Sequence, residues 1–148
     1  MDLEIELAPM EASEIDEIEA IESECFTSPW SRDCFSSIVK REGSLSLVAH
    51  HADAVIGYVI SFWAEDGFVI ANLAVTDGFR GQGVGRRLLE AALKAGRESG
   101  TRWAFLDVRE GNQTAIRLYA RMGFRTVGKR PDYYDHPRED SLVMALRL

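Results

Sequence analysis

An apolar, strand-like run ending at Val75 gives way to Thr76-Asp77-Gly78-Phe79-Arg80-Gly81-Gln82-Gly83-Val84-Gly85, where four of ten residues are glycine. The chain then resumes with a helical period. Val84, Leu88, Leu89, Ala92, Leu93 and Ala95 share one side of a helix that ends near Gly100. Trp103 to Val108 follows as a short, nearly continuous apolar run, the pattern of a strand buried on both faces. Two strands joined through a helix lie parallel, because only a long crossover returns the chain in the same direction. This unit constrains the fold more than any other feature: the chain must build a sheet with a parallel pair at its centre.

The flanking segments supply the other elements. Leu3, Ile5 and Leu7 alternate with acids and predict a first, half-buried strand. After Pro9 and Ser13, the stripe Ile15, Ile18, Ile21 and Cys25 marks an otherwise acidic helix. Ser28-Pro29-Trp30-Ser31 separates it from a second short helix carrying Phe35, Ile38 and Val39. Three strands are expected at Leu45 to His50, Val55 to Trp63 and Phe68 to Val75, joined by hairpins at Asp53 and Glu65-Asp66-Gly67 and therefore antiparallel. Asn112 caps a helix with Ala115, Leu118, Tyr119 and Met122 on its buried face, closed by Gly123. Phe124 to Lys129 and Ser141 to Leu146 are two further strands around a polar loop from Pro131 to Pro137. The pattern predicts an α+β fold, a mixed and mostly antiparallel sheet of six to seven strands with about four helices. At 148 residues the chain is long enough to bury one core, and residues 1–148 are expected to form a single domain.

Charge is unevenly placed. The net charge is −7, yet the first 24 residues hold ten acids and no base, while Arg80 to Arg130 holds twelve Lys or Arg. An acidic end beside a basic middle suits a cationic partner and an anionic ligand; the plainer alternative is solvated helix faces. Cys25 and Cys34 lack metal-ligand spacing, and His50, His51 and His136 form no metal pattern, so no metal is expected. The opening Met-Asp-Leu-Glu resembles no secretory signal, and no apolar run approaches the ~20 residues of a membrane span. A cytoplasmic protein, monomeric or weakly dimeric, with neither a membrane nor a nucleic-acid partner, is the expectation.

The turn Arg80-Gly81-Gln82-Gly83-Val84-Gly85 has chemical meaning. Small residues let backbone N–H groups approach an anion at the positive end of the helix, which makes a phosphate cradle. Without Gly-Lys-Ser/Thr it is no nucleotide-hydrolysing P-loop, and glycines that only tighten a turn are the alternative. With Val75 and Arg86, this segment resembles the pyrophosphate loop Q/R-x-x-G-x-G/A of the GCN5-related N-acetyltransferases. Asn112, Ala115, Leu118, Tyr119, Gly123 and Phe124 match the N-x-x-A-x-x-L-Y-x-x-x-G-F pattern of the same superfamily. The resemblance implies the fold of that superfamily, with strands 4 and 5 parallel and splayed, and acetyl-CoA as the acetyl donor.

Four segments narrow the resemblance to the bacterial enzymes that acetylate the N-terminal alanine of a small-subunit ribosomal protein: Ser28-Pro29-Trp30-Ser31, Asn72-Leu73-Ala74-Val75, Leu106-Asp107-Val108-Arg109 with Asn112, and Tyr133-Tyr134 with Arg138-Glu139-Asp140 and Met144-Ala145-Leu146. It implies direct transfer to the N-terminal peptide of a basic ribosomal protein. Asp107, where that family usually has Glu, takes the position of the base; its shorter side chain favours a bridging water, and an Asp satisfied by backbone N–H groups or by Arg109 is the alternative. Tyr119 takes the position of the acid at the coenzyme sulfur, against simple core packing. Leu73, Ala74 and Val75 are implied to pair with the pantetheine amides, Asn112 to touch the same arm, and Arg80 and Arg86 to join Gly81 to Gly85 around the phosphates. Trp30, Tyr133 and Tyr134 are expected to flank a peptide slot. Two rivals stand beside this reading: an acetyltransferase for a small-molecule amine, and a coenzyme-A-binding module without catalysis.

Overall fold

The computed structural model describes residues 3–148; Met1 and Asp2, the start of the acidic segment and of the opening considered above, lie outside the described residues. Among the described residues, seven strands and four α-helices follow the predicted order: β1 (Glu6–Pro9), α1 (Ile15–Cys25), α2 (Arg32–Lys40), β2 (Ser44–His51), β3 (Ala54–Ala64), β4 (Gly67–Val75), α3 (Val84–Glu98), β5 (Trp103–Arg109), α4 (Gln113–Arg121), β6 (Arg125–Tyr134) and β7 (Glu139–Arg147). One sheet of order β1-β2-β3-β4-β5-β7-β6 contains them all, antiparallel throughout except for the β4–β5 pair.

Two apolar layers cover the sheet. On one face α3 buries Val84, Leu88, Leu89, Ala92 and Leu93, joined by Tyr119 of α4. On the other, Ile15, Ile18 and Ile21 of α1 and Phe35 of α2 pack against Val48, Tyr58 and Ile60. The period of each helix thus aims its stripe at the sheet. Gly96 of α3 is buried so close to the sheet that a Cβ there would stand 3.0 Å from the ring of Phe68.

Two boundaries differ from expectation. β1 starts at Glu6 rather than Leu3, since its partner strand β2 ends at His51, where Ala52 and Asp53, both at positive φ, turn the chain into β3. Leu3 and Ile5 still pack on the core outside the ladder. The β6–β7 hairpin also runs into the expected Pro131-to-Pro137 loop, to a Tyr134–Glu139 pair. The ladder is irregular between Arg130 and Tyr134, where the Asp132 N–H donates instead to Asp140 Oδ1 at 2.9 Å. Pro131 is tolerated because β6 is the sheet edge and no partner needs its missing N–H.

The acidic N-terminal segment is less a free solvated face than a set of ties. Glu14 Oε2 lies 2.5 Å from His50 Nε2, Glu17 accepts the Val55 N–H at 3.1 Å, and Glu24 accepts the Asp77 N–H and the Thr76 hydroxyl, both at 2.9 Å. Asp16 and Glu19 both face Arg32. No helix among the described residues is long and apolar enough to cross a membrane.

The feature that makes a site is where β4 and β5 part. Their pairing covers Phe68–Ala104, Val69–Phe105 and Ile70–Leu106 and stops there. At that point the register of β4 against β3 skips a residue, from Ser61–Ile70 to Ile60–Asn72, so Ala71 is the extra residue of a bulge. A bulge bends its strand, and beyond it β4 diverges from β5.

Candidate active site

The divergence opens a cleft of about 180 Å³ whose walls include Glu22, Trp30, Asn72, Asp107, Tyr119 and Tyr134. Both strands, α4, α1 and the α1–α2 connection meet there, so residues far apart in sequence share one volume. A wider, more open groove of about 450 Å³ lies along α2, lined by Asp33, Cys34, Ser37, Ile38 and Arg41, and touches the cleft through Trp30. Asp107 and Tyr119 line the cleft and not the groove.

Tyr119 comes from the buried face of α4, where its ring packs edge-on to Phe124 with centroids 5.8 Å apart. The helix begins at Asn112, whose Oδ1 accepts the Ala115 N–H at 3.2 Å as a side-chain cap, and the residue also lines the cleft. Burial, reinforced by the neighbouring Tyr134, pushes the Tyr119 hydroxyl well above the ordinary phenol range. It is thus neutral near pH 7 and can act as a hydrogen-bond or proton donor.

Asp107 projects from β5 into the same cleft. Its Oδ1 accepts the Arg130 Nε–H at 3.0 Å and the Ser141 hydroxyl at 2.8 Å. The pairing with Arg109 considered above is not formed. Arg109 instead reaches Glu139 at 3.1 Å and donates to the carbonyls of Pro137 at 2.9 Å and Asp135 at 3.0 Å, with its guanidinium 4.4 Å over the Tyr134 ring. The Ser28 hydroxyl donates to the same Asp135 carbonyl at 3.0 Å. The α1–α2 connection and the β6–β7 hairpin are thereby tied together beside the cleft.

Tyr133 and Tyr134 were both expected at the slot, and only one arrives. Tyr134 is half-buried in the cleft wall, whereas Tyr133 is 52% exposed and lies under Arg130 at 5.8 Å. The Tyr133 ring packs edge-on against that of Tyr134, centroids 4.9 Å apart, so it touches the wall residue without lining the cleft.

Along β4 the alternating direction of the backbone hydrogen bonds divides the expected groups. The Thr76 N–H donates to Ile56 on β3 at 2.8 Å, so Ala74, two residues back, also faces β3, while Leu73 and Val75 turn their amides and carbonyls toward the open side. The Val75 carbonyl there accepts Arg80 Nε–H at 3.0 Å and the Cys25 thiol at 3.5 Å.

At the start of α3, Gly81 and Gly83 have φ of +74° and +84°, and a Cβ at either would meet nothing within 4 Å. They serve backbone shape and leave open space in front of the helix. The first bond within α3 runs from the Arg87 N–H to the Gly83 carbonyl at 3.0 Å, so the amides of Val84, Gly85 and Arg86 have no partner in the helix. The side chain of Gln82 turns back to the Gly78 carbonyl at 3.3 Å. The two arginines expected here point elsewhere: Arg80 to Val75, Asp77 and Cys25, and Arg86 to Glu90 at 2.9 Å along the helix. The open space before α3 is therefore faced by backbone and not by these two side chains.

One wall residue escaped the sequence reading. Glu22 was grouped with the solvated acids, yet it is 1% exposed and accepts hydrogen bonds from Tyr58, Asn72 and the Trp30 amide. The signal was present: Ile15, Ile18, Glu22 and Cys25 recur at helical spacing, so an acid occupies a position of the apolar stripe. Among the described residues no cluster of His, Cys, Asp and Glu is placed to hold a metal.

The model of the acetyltransferase (GNAT) family matches residues 15–124. The chain belongs to the GNAT acetyltransferase family. Among GNAT relatives, it is 30% identical over 147 residues to the ribosomal protein bS18-alanine N-acetyltransferase of Haemophilus influenzae, covering 96% of this chain and 98% of that one. It is 32% identical over 133 residues to the protein of the same name from Haemophilus ducreyi, covering 86% and 90%. Among solved GNAT structures, the ribosomal-protein-S18-alanine N-acetyltransferase of Escherichia coli superposes with a TM-score of 0.89 at 29% identity, over 97% of this chain and 94% of that one. The parallel, splayed β4–β5 pair expected from the resemblance is the GNAT arrangement seen here.

Proposed function

We propose that this chain transfers the acetyl group of acetyl-CoA to the N-terminal α-amine of a protein, with the alanine terminus of ribosomal protein bS18 as its substrate. The observation that carries this reading is the cleft at the β4–β5 split, where a carboxylate on β5 and a neutral phenol on α4 line one volume. The names of the relatives point to the same acceptor.

The residues present fit the coenzyme. Unpartnered amides at the start of α3, with open space before Gly81 and Gly83, suit the diphosphate, and the outward backbone of Leu73 and Val75 suits an extended arm with amide groups. Acetyl-CoA, when bound, supplies an activated acyl group on sulfur. In this reading Asp107 accepts the proton of the acceptor amine, whose ordinary pKa is about 7.7–8.0, directly or through one water. Tyr119 donates its hydroxyl proton toward the departing sulfur, and its desolvated ring environment excludes water from that step. Trp30 and Tyr134 border the acceptor path. Arg80 and Arg86 reach the phosphates only after leaving their exposed partners, each such pair worth about 0–1 kcal/mol.

The test is to incubate the protein with acetyl-CoA and a panel of short peptides bearing free N-termini, then measure mass gain. Acetylation of the peptide beginning like bS18 is expected. Modification of free small amines alone overturns the peptide reading, and coenzyme binding with no product overturns catalysis.

A further inference from the structure

Glu22 is a buried carboxylate with no cationic partner among the described residues. Its carboxylate sits in the cleft wall, 1% exposed, and three donors converge on it: the Tyr58 hydroxyl at 2.5 Å and Asn72 Nδ2 at 2.8 Å on Oε1, and the Trp30 amide at 2.9 Å on Oε2. Every contact donates to it, the pattern of an ionised carboxylate, and every donor is neutral. None of the ion pairs among the described residues includes Glu22. Asp107, the other acid in the cleft, already faces the Arg130 guanidinium at 3.0 Å.

A buried negative charge satisfied only by neutral dipoles favours a cation in the adjoining space. A carboxylate offers about four acceptor positions, and three are taken, which leaves one on Oε2. An α-amine enters as ammonium near neutral pH, and in a cleft of about 180 Å³ it sheds part of its hydration. We propose that Glu22 is the anchor for the acceptor's α-ammonium group, a binding role separate from that of Asp107. The inference rests on the acetyltransferase reading above. The three donors come from β3, β4 and the α1–α2 connection, so the carboxylate is held rigid before the amine arrives and little order is lost on binding.

The experiment compares two peptides on the coenzyme-A-saturated protein by calorimetry: one beginning with alanine, and its des-amino analogue beginning with a propionyl group. The native protein is expected to bind the ammonium peptide about tenfold or more tightly than the analogue. Glu22→Gln, similar in shape and uncharged, removes that preference, and Glu22→Asp, which keeps the charge but draws it back by one methylene, lowers it. Equal affinities in the native protein, or a preference that survives Glu22→Gln undiminished, each overturn the assignment. Should Glu22→Gln fail to fold, Glu22→Asp decides it, and a preference equal to that of the native protein overturns the anchor. Binding of both peptides with no ammonium preference sinks the anchor alone; acetylation of free small amines only sinks the reading beneath it.

Discussion

Asp107 on β5 and Arg130 on β6 meet across the intervening strand β7, the Nε–H of the arginine donating to Oδ1 at 3.0 Å. The Ser141 hydroxyl of β7 donates to the same oxygen at 2.8 Å. Both contacts fall on one carboxylate oxygen, so the carboxylate is oriented by the sheet's far edge while Asp107 lines the cleft. A short side chain is thereby held in place by two strands.

Replacing Asp107 by Asn keeps its size and removes the proton acceptor. We expect kcat on the peptide to fall by about 10²-fold or more, with the dissociation constant of acetyl-CoA within a few-fold of native. Steady-state kinetics with a parallel binding titration check this; undiminished kcat would remove Asp107 from the reaction.

Tyr119→Phe deletes one hydroxyl from a packed ring. The expected loss is about 10²-fold in kcat, with a melting temperature close to native, because the ring contact with Phe124 survives. A large loss of stability with normal kcat in the folded fraction would mark Tyr119 as a packing residue only.

Burial raises the hydroxyls of Tyr58, Tyr119 and Tyr134 above their ordinary value of 10. In the unfolded chain these groups lose their protons near that pH, so above it the unfolded state binds fewer protons than the native state. Stability is therefore full below pH 10 and falls as the pH rises past it. Tyrosinate absorbance of the native protein near pH 10 should fall well short of that of the denatured chain; equal absorbance contradicts the burial.

Gly83→Ala places a methyl group at φ +84°, in the open space before α3. The left-handed backbone costs about 1–2 kcal/mol of stability, and acetyl-CoA affinity is expected to fall further, by about tenfold, as the methyl intrudes on the cradle. Gly78→Ala, equally open but without positive φ, is the comparison. A loss of affinity no greater than in Gly78→Ala separates this loop from the coenzyme.

Arg109→Ala cuts the bonds to Asp135, Pro137 and Glu139 that tie the hairpin beside the cleft. Amide hydrogen exchange should accelerate in residues 132–139, and KM for the peptide should rise more than KM for acetyl-CoA. Unchanged exchange there would show that the hairpin holds itself.

Periodicity made most of the fold legible. The helix stripes, the alternating strands and the glycine turn each depend on neighbours a few residues away, so Leu88 or Phe68 announces its face without reference to the rest of the chain. Glu22 shows the limit. Its helical spacing with Ile15, Ile18 and Cys25 points to burial, but only the packing of α1 over Tyr58 and Asn72 puts it in a cleft wall. Tyr133 and Tyr134 show another limit, since the sequence names two adjacent aromatics and only the irregular end of the β6–β7 ladder places one in the wall and packs the other against it.

By itself the sequence determined the order of elements, the parallel crossover and the open glycine turn at Gly81 to Gly85, because local period and glycine's freedom at positive φ are properties of short segments. Tertiary structure alone decided that Arg130, and not Arg109, holds Asp107, that the bulge at Ala71 ends the β4–β5 pairing, and that Glu22 enters the cleft. Those outcomes depend on register between strands distant in the chain, and a shift of one residue would send every side chain to the opposite face.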